Sequence, residues 1–166
     1  MMKTRSSVFG SAVLSIVFIL SPGLEIGFQE KITLQKKTEE ADLIVVGRVK
    51  NTETRWDDLT LKSMINGYVT LSIEEEIKGS STEKDITIEV PGGMVDGVGV
   101  VIMAPMAHFL KGERVLVFLL RDLHSSNFFV LGGIIGKYTI EPNNGMAFSG
   151  KSLSEFIAEI REYISN

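Results

Sequence analysis

The chain has 166 residues, of which 44% are hydrophobic, and a formal net charge of −4. This length and composition predict one globular domain with appended segments, not a disordered chain. The acidic balance argues against a nucleic-acid partner, because phosphate binding requires a basic surface. The absence of cysteine excludes a disulfide framework, thiolate zinc ligands and a thiol nucleophile.

The N-terminus has the pattern of an export signal. Lys3 and Arg5 precede an almost entirely apolar run at residues 8–20, and the sequence Ser-Pro-Gly follows it. The run is short for a membrane span, which needs about 20 residues. We therefore predict a signal peptide at residues 1–23, with an uncleaved anchor as the alternative, and a single β-barrel domain at residues 24–166. In both cases the folded part is secreted or extracytoplasmic, and membrane contact is limited to the N-terminal segment.

Two helices are predicted, one on each side of the strands in the sequence. Residues 32–41 have a weak apolar face, and Thr33 stands where an N-cap is expected. Residues 152–164 have an apolar stripe at helical spacing. Ser152 and Glu155 match the S-x-x-E capping box at the start of this second helix. We expect it to cover an open side of the sheet.

The strand at residues 115–120 is the centre of the predicted fold. It is apolar on both faces, which is typical of a strand that is covered on both sides. A glycine in the strand at residues 42–50, Gly47, indicates a bend or a close backbone contact. About seven strands with turn signals at short intervals predict a mainly β fold. We expect a small antiparallel OB-like barrel or sandwich with flanking helices.

Three local features qualify this strand assignment. The polar stretch at residues 51–62 is read as a long loop or an irregular strand end, and Asn66-Gly67 as a hairpin-type turn. In the strand at residues 68–78, Glu75 falls on the apolar face. Either a β-bulge shifts the register there, or Glu75 lies at the rim of the core.

The order of the structural motifs resembles a known arrangement. The motifs are A-D-L-I-V-V-G-R-V at 41–49, I-K-G at 77–79, V-P-G-G at 90–93, G-E-R-V-L-V-F-L at 112–119 and G-K-Y at 136–138. Together they resemble a loose group of secreted prokaryotic proteins of uncharacterised function. They are also distantly similar to the netrin-like barrel of tissue inhibitors of metalloproteinases. The resemblance spans roughly residues 33–140 and implies an OB-type five-stranded barrel in an extracellular setting. The zinc-chelating mechanism of those inhibitors depends on cysteine, which this chain lacks.

The chemistry-bearing residues do not form a recognisable catalytic or metal motif. The glycine-rich stretch at residues 132–138 is one residue shorter than a phosphate-binding loop and leads into a strand. We interpret its glycines as allowing two strands to cross closely. His108 and His124 flank the central strand, and a strand of ~10 residues would separate them by ~30 Å. The acidic clusters at residues 57–58 and 74–76 lack the calcium-loop spacing. We predict no cofactor and no metal.

Two segments supply the candidate partner-binding residues. These residues are Trp56, Asp57 and Asp58 in the polar stretch, and Met94, Asp96, Met103 and Met106 in the glycine- and methionine-rich segment that follows Pro91. Residues 91–105 allow two interpretations. The favoured one is an additional strand with a loop that plugs the barrel, since apolar residues in small domains usually lie in the core. The other is an exposed patch that binds a partner.

These observations favour an exported, non-catalytic β-barrel module that binds an extracellular protein, peptide or glycan. The first alternative is an inhibitor or accessory factor of a secreted protease. The second is a secreted hydrolase that uses His108 or His124 with a carboxylate, because triad residues come from distant sequence positions. The G-x-S-x-G motif of one hydrolase class does not occur in the sequence.

Overall fold

The computed structural model describes residues 33–56, 64–100, 105–147 and 149–165. The predicted signal segment at residues 1–23 lies outside this part of the chain. The described elements are α1 Leu34–Glu40, β1 Leu43–Trp56, β2 Ile65–Lys78, β3 Asp85–Pro91, β4 Gly93–Val95, β5 Val98–Val100, β6 Arg114–Arg121, β7 Phe128–Val130, a 3-10 helix Gly133–Gly136, β8 Lys137–Thr139 and α2 Leu153–Ser165. In this part of the chain no helix has the length and apolarity needed to cross a membrane.

Five strands close into a barrel in the order β1-β2-β3-β7-β6, and the pairing of β6 with β1 completes the ring. β8 pairs with β6 beside the ring. The predicted mainly β fold, the small barrel and the C-terminal helix are therefore confirmed. One detail differs, because β3 and β7 run parallel and the barrel is mixed instead of antiparallel throughout. A parallel pair requires a crossover connection, and here the chain passes through β6 between the two strands.

The central strand β6 separates two hydrophobic cores. Val115, Val117 and Leu119 point into the barrel and belong to its interior core. Leu116 and Phe118 point outward into a second core between the barrel wall and the helices. All five side chains are fully buried, which confirms the prediction that this strand is covered on both faces.

Helix α2 covers the outer core with the predicted apolar stripe. Its buried residues are Leu153, Phe156, Ile157 and Ile160. The predicted capping box is present: the Ser152 backbone N–H donates to Glu155 Oε2 at 2.8 Å, and the Glu155 backbone N–H donates to Ser152 Oγ at 3.3 Å. Thr33 likewise caps α1, accepting a hydrogen bond from the Lys36 backbone N–H at 3.2 Å. Both helix starts therefore follow from the local sequence.

Register shifts between β1 and β2 resolve the position of Glu75. Val46 stands opposite Glu75, but the next residue, Gly47, stands opposite Ile73, so β2 has an extra residue there. This is the β-bulge alternative. It turns Glu75 toward α2, where Arg161 Nη2 lies 2.8 Å from its Oε1. At Gly47 itself a Cβ atom would come within 2.7 Å of the Ser72 carbonyl oxygen, which confirms the predicted close backbone contact.

One local prediction is wrong, and one that was left open between two alternatives is decided. Asn66 and Gly67 do not form a turn but lie inside β2, opposite Arg55 and Thr54. The Asn66 side chain donates to Glu89 Oε1 at 2.7 Å, so pairing on both sides of β2 overrides the turn preference of Asn-Gly. Residues 51–56 are the end of β1 and pair one for one with β2, which is the strand-end alternative for this part of the polar stretch, with regular pairing.

The segment after β7 also begins differently from the prediction. Gly132 and Gly133 both have positive φ, 66° and 62°, and a 3-10 helix follows where a strand was expected. The Ile134 backbone N–H donates to the Pro105 carbonyl at 3.1 Å. A Cβ on Gly133 would lie 2.2 Å from that same oxygen. The glycines thus permit a close approach of backbones, although the neighbour is a connecting segment and not a strand.

Candidate functional site

Strand β1 extends past the end of β6, while β2 keeps its pairing with β3 on its other side. We call residues 51–56 of β1, together with the residues 65–70 of β2 that pair with them, the ribbon. Within the described chain β1 pairs with β6 only over residues 43–48. Its pairing with β2 continues to Trp56, which stands opposite Ile65. Each strand has 14 residues, where about 5–6 are usual. The extra length carries the ribbon beyond the point where β6 supports it.

Strands β4 and β5 form a hairpin with a two-residue turn. Asp96 and Gly97 occupy the turn with φ values of 50° and 79°, and Val95 pairs with Val98 across it. Positive φ at both central residues is the signature of a type I′ turn, for which Asp-Gly is a preferred sequence. The hairpin could therefore have been predicted from the sequence. Asp96, a candidate binding residue, holds a backbone position that the turn requires.

This hairpin is attached to the ribbon by close backbone contact. The Gly92 backbone N–H donates to the Ile65 carbonyl at 2.9 Å. Gly93 has φ of 142°, and a Cβ atom there would lie 2.4 Å from Thr54 Cγ2. The positive φ favours glycine, and a larger residue would also have to displace the Thr54 side chain. The two segments that the sequence marked as candidate binding surfaces are consequently neighbours in the structure.

Several apolar side chains are exposed on the hairpin and beside the end of the ribbon. Met94 is 68% exposed, Val98 50% and Met64 40%, and Trp56 is half-buried. We call these four residues the apolar tip. Met64 precedes Ile65 and Met94 follows Gly93, and Ile65 and Gly93 lie where the hairpin joins the ribbon. Met94 and Val98 lie on opposite faces of the hairpin, because Met94 pairs with Gly99 and Val98 pairs with Val95. Exposed apolar residues that are grouped mark interaction sites more often than scattered ones do.

The sequence-predicted site residues thus divide into three sets. Trp56, Met94 and Asp96 lie on the ribbon and the hairpin, while Met106 is half-buried in the segment before β6. Asp57, Asp58 and Met103 lie outside the described residues. The favoured interpretation of residues 91–105 is wrong for its described strands, because β4 and β5 form a separate two-stranded sheet and do not join the barrel.

A small apolar cavity of about 180 Å³ opens between β3, β7 and the segment before β6. It is lined by Glu89, Val90, Pro91, Met106, Ala107, Phe129, Val130 and Gly133. It forms beside the parallel β3–β7 pair, which contains only two residue pairs. A space of this size and lining can hold a small apolar group.

Glu89 lies at the edge of this cavity and is held by two amides. The Nδ2 atoms of Asn66 and Asn127 donate to its two carboxylate oxygens at 2.7 and 3.2 Å. Asn66 is only 5% exposed, and its Oδ1 is buried without a hydrogen-bond partner in the described structure. The two hydrogen bonds fix the orientation of the Glu89 carboxylate. Its remaining lone pairs can accept further hydrogen bonds next to the apolar wall of the cavity.

A largely buried ion pair joins Glu113, the residue before β6, to β8. Lys137 Nζ lies 2.6 Å from Glu113 Oε1, and Thr139 Oγ1 donates to the same oxygen at 2.5 Å. The Glu113 and Lys137 side chains are 11% and 12% exposed, and Lys137 Nζ lies 5.2 Å from the centre of the Phe109 ring. Burial by itself would raise the pKa of Glu113, but hydrogen bonds from Lys137, Thr139 and the Leu110 backbone outweigh it and the pKa is lowered.

The two residues of this pair lie in separate motifs of the sequence. Glu113 belongs to the G-E-R-V motif and Lys137 to the G-K-Y motif. Glu113 also continues the alternation of the interior-facing residues Val115 and Val117. A charged residue at a core-facing position predicts a buried partner of opposite charge, and this was the signal available in the sequence.

A second buried cation, Lys37, anchors α1. Its Nζ donates to the Ile135 carbonyl at 2.9 Å and to the Tyr138 hydroxyl. The same atom lies 4.6 Å from the centre of the Tyr138 ring and 5.3 Å from that of Phe118. Burial lowers the pKa of Lys37 from 10.5 to about 8. The aromatic rings favour the charged form, but they do not offset the loss of hydration.

This environment makes a prediction about pH. The folded-state pKa of Lys37, about 8, lies below its ordinary value of 10.5, so the buried charge costs stability below pH 8 and the cost disappears as the pH rises toward 10.5. Lys37→Met removes the cost at every pH. We therefore expect the free energy of unfolding of the wild type to rise relative to that of Lys37→Met between pH 8 and 10.5 in urea titrations.

The matched control is Lys111→Met, since Lys111 is exposed in the turn before β6. It removes one lysine in the same way, so the comparison isolates the buried position of Lys37. Parallel pH profiles for the wild type and Lys37→Met would contradict the assignment of a lowered pKa to Lys37.

The two histidines are both exposed. His124 lies in the turn between β6 and β7, where its backbone N–H donates to Asp122 Oδ1 at 3.1 Å. Within the described ranges no three His, Asp or Glu residues stand close enough together to hold a metal ion. Glu74 instead forms ion pairs with Arg114, at 2.5 Å, and with Arg48, at 3.3 Å.

Comparisons with models of known protein families and with curated proteins found no match.

Proposed function

We propose that the protein is an exported, non-catalytic binding module whose partner contacts the apolar tip. The observation that carries the proposal is the exposure of Met94, Val98 and Met64 on the hairpin and beside the end of the ribbon, at 68%, 50% and 40%. Leaving such side chains in water forgoes the hydrophobic gain of burying them, roughly 1.5–3 kcal/mol for a fully buried large side chain. A partner that covers the tip recovers part of this energy.

The local structure supports recognition by a preformed surface. The type I′ turn at Asp96 and Gly97 sets the shape of the hairpin, and the contact of Gly93 with Thr54 attaches it to the ribbon. A surface that is ordered before binding loses less entropy on association than a flexible loop. Methionine side chains also adapt to irregular partner surfaces. The partner that fits this surface is an extracellular protein, peptide or glycan with an apolar face.

The only tryptophan of the chain, Trp56, provides the measurement. Peptide mixtures from digested extracellular proteins, and separately pools of glycans, are titrated into the purified protein while Trp56 emission is recorded. We expect a saturable shift of the emission maximum with one of the two probe classes, because binding at the tip changes the water contact of the indole.

Substitutions then test whether the tip is responsible. Met94→Glu and Val98→Glu should each weaken binding by about tenfold or more, because a charge is buried against the partner. Leu123→Glu is the matched control, since Leu123 is 93% exposed but lies in the turn between β6 and β7. Equal binding by all three variants would contradict the proposal, as would the absence of any emission shift with both probe classes.

A further inference from the structure

Within the described residues, one edge of β1 has no strand partner along residues 51–56. On its other side each residue from Asn51 to Trp56 has a partner in β2, whereas β6 ends its pairing at Arg48. In the described chain no further strand pairs with residues 51–56, and all of them except Trp56 are exposed. A free edge presents unpaired N–H and C=O groups, which can pair with another strand.

The side chains along this edge carry opposite charges two residues apart. Glu53 and Arg55 stand opposite Tyr68 and Asn66, so they share the outer face of the ribbon. The Arg55 guanidinium lies 4.0 Å from the centre of the Tyr68 ring, and its Nη1 lies 3.9 Å from Glu53 Oε1. The aromatic ring thus orients the cation over the outer face next to the free edge.

We propose that two copies of the chain associate by antiparallel pairing of this edge, with the two-fold axis at Thr54. In this register Glu53 of each copy stands opposite Arg55 of the other, and Thr52 stands opposite Trp56. Both charge pairs are then attractive, and the interface is self-complementary as a two-fold interface requires. The proposal does not depend on the binding function assigned to the apolar tip.

The register follows from symmetry and charge. A two-fold axis between antiparallel edges lies perpendicular to the sheet, so residues of the same face stand opposite each other. An axis at Glu53 would place two glutamates opposite each other, and an axis at Arg55 two arginines. Like charges directly opposite each other destabilise a strand pair. Of these three axis positions only Thr54 brings unlike charges together.

The pairing would also place both apolar tips on one side of the joined sheet. Thr54 and Trp56 lie on the inner face of the ribbon, opposite Gly67 and Ile65 of β2, and the hairpin contacts Thr54 on that face. A rotation about an axis perpendicular to the sheet keeps the inner faces of both copies on the same side. The two hairpins therefore face the same direction in the dimer.

The test is sedimentation equilibrium of the protein expressed from its full sequence, from low micromolar to near-millimolar concentration. We expect a reversible dimer for the wild type. Glu53→Arg and Arg55→Glu should each raise the dissociation constant by about tenfold, because two cross-strand pairs become repulsive. The double variant Glu53→Arg/Arg55→Glu should restore dimerisation, since both pairs are again attractive with their signs exchanged.

Amide hydrogen exchange locates the contact. Exchange at residues 51–56 should slow with increasing protein concentration in the wild type and in the double variant, but not in the single variants. A monomer at all concentrations overturns the proposal. So does a dimer that neither single substitution weakens, or a folded double variant that remains as monomeric as the single ones.

Discussion

Phe118→Ala is expected to lower the free energy of unfolding by about 3–5 kcal/mol, the range measured for large-to-small changes at well-packed sites. Phe118 is fully buried and meets Tyr138 edge-on, with ring centres 6.1 Å apart. It also lies beneath Lys37 Nζ. The substitution therefore removes packing in the outer core, an aromatic contact and one ring beside the buried ammonium at once.

Urea unfolding monitored by circular dichroism measures this change. Leu123→Ala is the matched control, because Leu123 is 93% exposed and its truncation should change stability by less than about 0.5 kcal/mol. A loss below about 1 kcal/mol for Phe118→Ala would show that the outer core is loosely packed, and it would contradict the assignment of β6 as a strand buried on both faces.

Glu113→Gln is expected to cost about 2–4 kcal/mol at neutral pH, because it leaves the Lys137 ammonium buried without its counter-charge. The carboxylate receives hydrogen bonds from Lys137, Thr139 and the Leu110 backbone. The ion pair joins the start of β6 to β8, so its loss should loosen β8 first. Hydrogen exchange at residues 137–139 reports this local effect, and urea titration reports the global one.

The pH dependence of this variant follows from the lowered pKa of Glu113. Its ionised form contributes stability that is complete above the ordinary value of 4.5 and is lost as the pH falls through the folded-state pKa. The wild type should lose stability more steeply than Glu113→Gln on acidification below pH 4.5. The two unfolding free energies should converge at low pH.

An exposed ion pair provides the comparison. Lys151 and Glu159 pair on the surface, with side chains 46% and 28% exposed, and Glu159→Gln should change stability by less than about 1 kcal/mol. The double variant Glu113→Met/Lys137→Met should recover part of the stability lost in Glu113→Gln, because no buried charge remains. A loss for Glu113→Gln no greater than that for Glu159→Gln would contradict a stabilising role of the buried pair.

Local sequence signals were sufficient to predict the elements that depend on residues close together in the chain. The capping box at Ser152 and Glu155 specifies where α2 begins, because its two hydrogen bonds form within one helical turn. The two apolar faces of β6 indicate burial on both sides before any neighbour is known. The Asp96-Gly97 turn also depends on local sequence alone, because Asp-Gly is a preferred pair for a type I′ turn.

The candidate site was only partly predictable, because contacts between distant segments bring its residues together. Trp56 and the segment that contains Met94 could be singled out by composition. That they are neighbours depends on the pairing of Trp56 with Ile65 and on the contact of Gly93 with Thr54. The Glu113–Lys137 pair likewise joins residues that are 24 positions apart.

The sequence by itself determined the mainly β class, the starts of the two helices, the two-sided burial of β6 and the close contact at Gly47. Each of these depends on side-chain periodicity, a cap or the lack of a Cβ atom within a few residues. The tertiary structure decided the parallel β3–β7 pair, the extension of β1 to Trp56 and the inclusion of Asn66-Gly67 in a strand. These depend on which distant segments supply hydrogen bonds and apolar surface, and such contacts outweigh local preferences of about 1 kcal/mol.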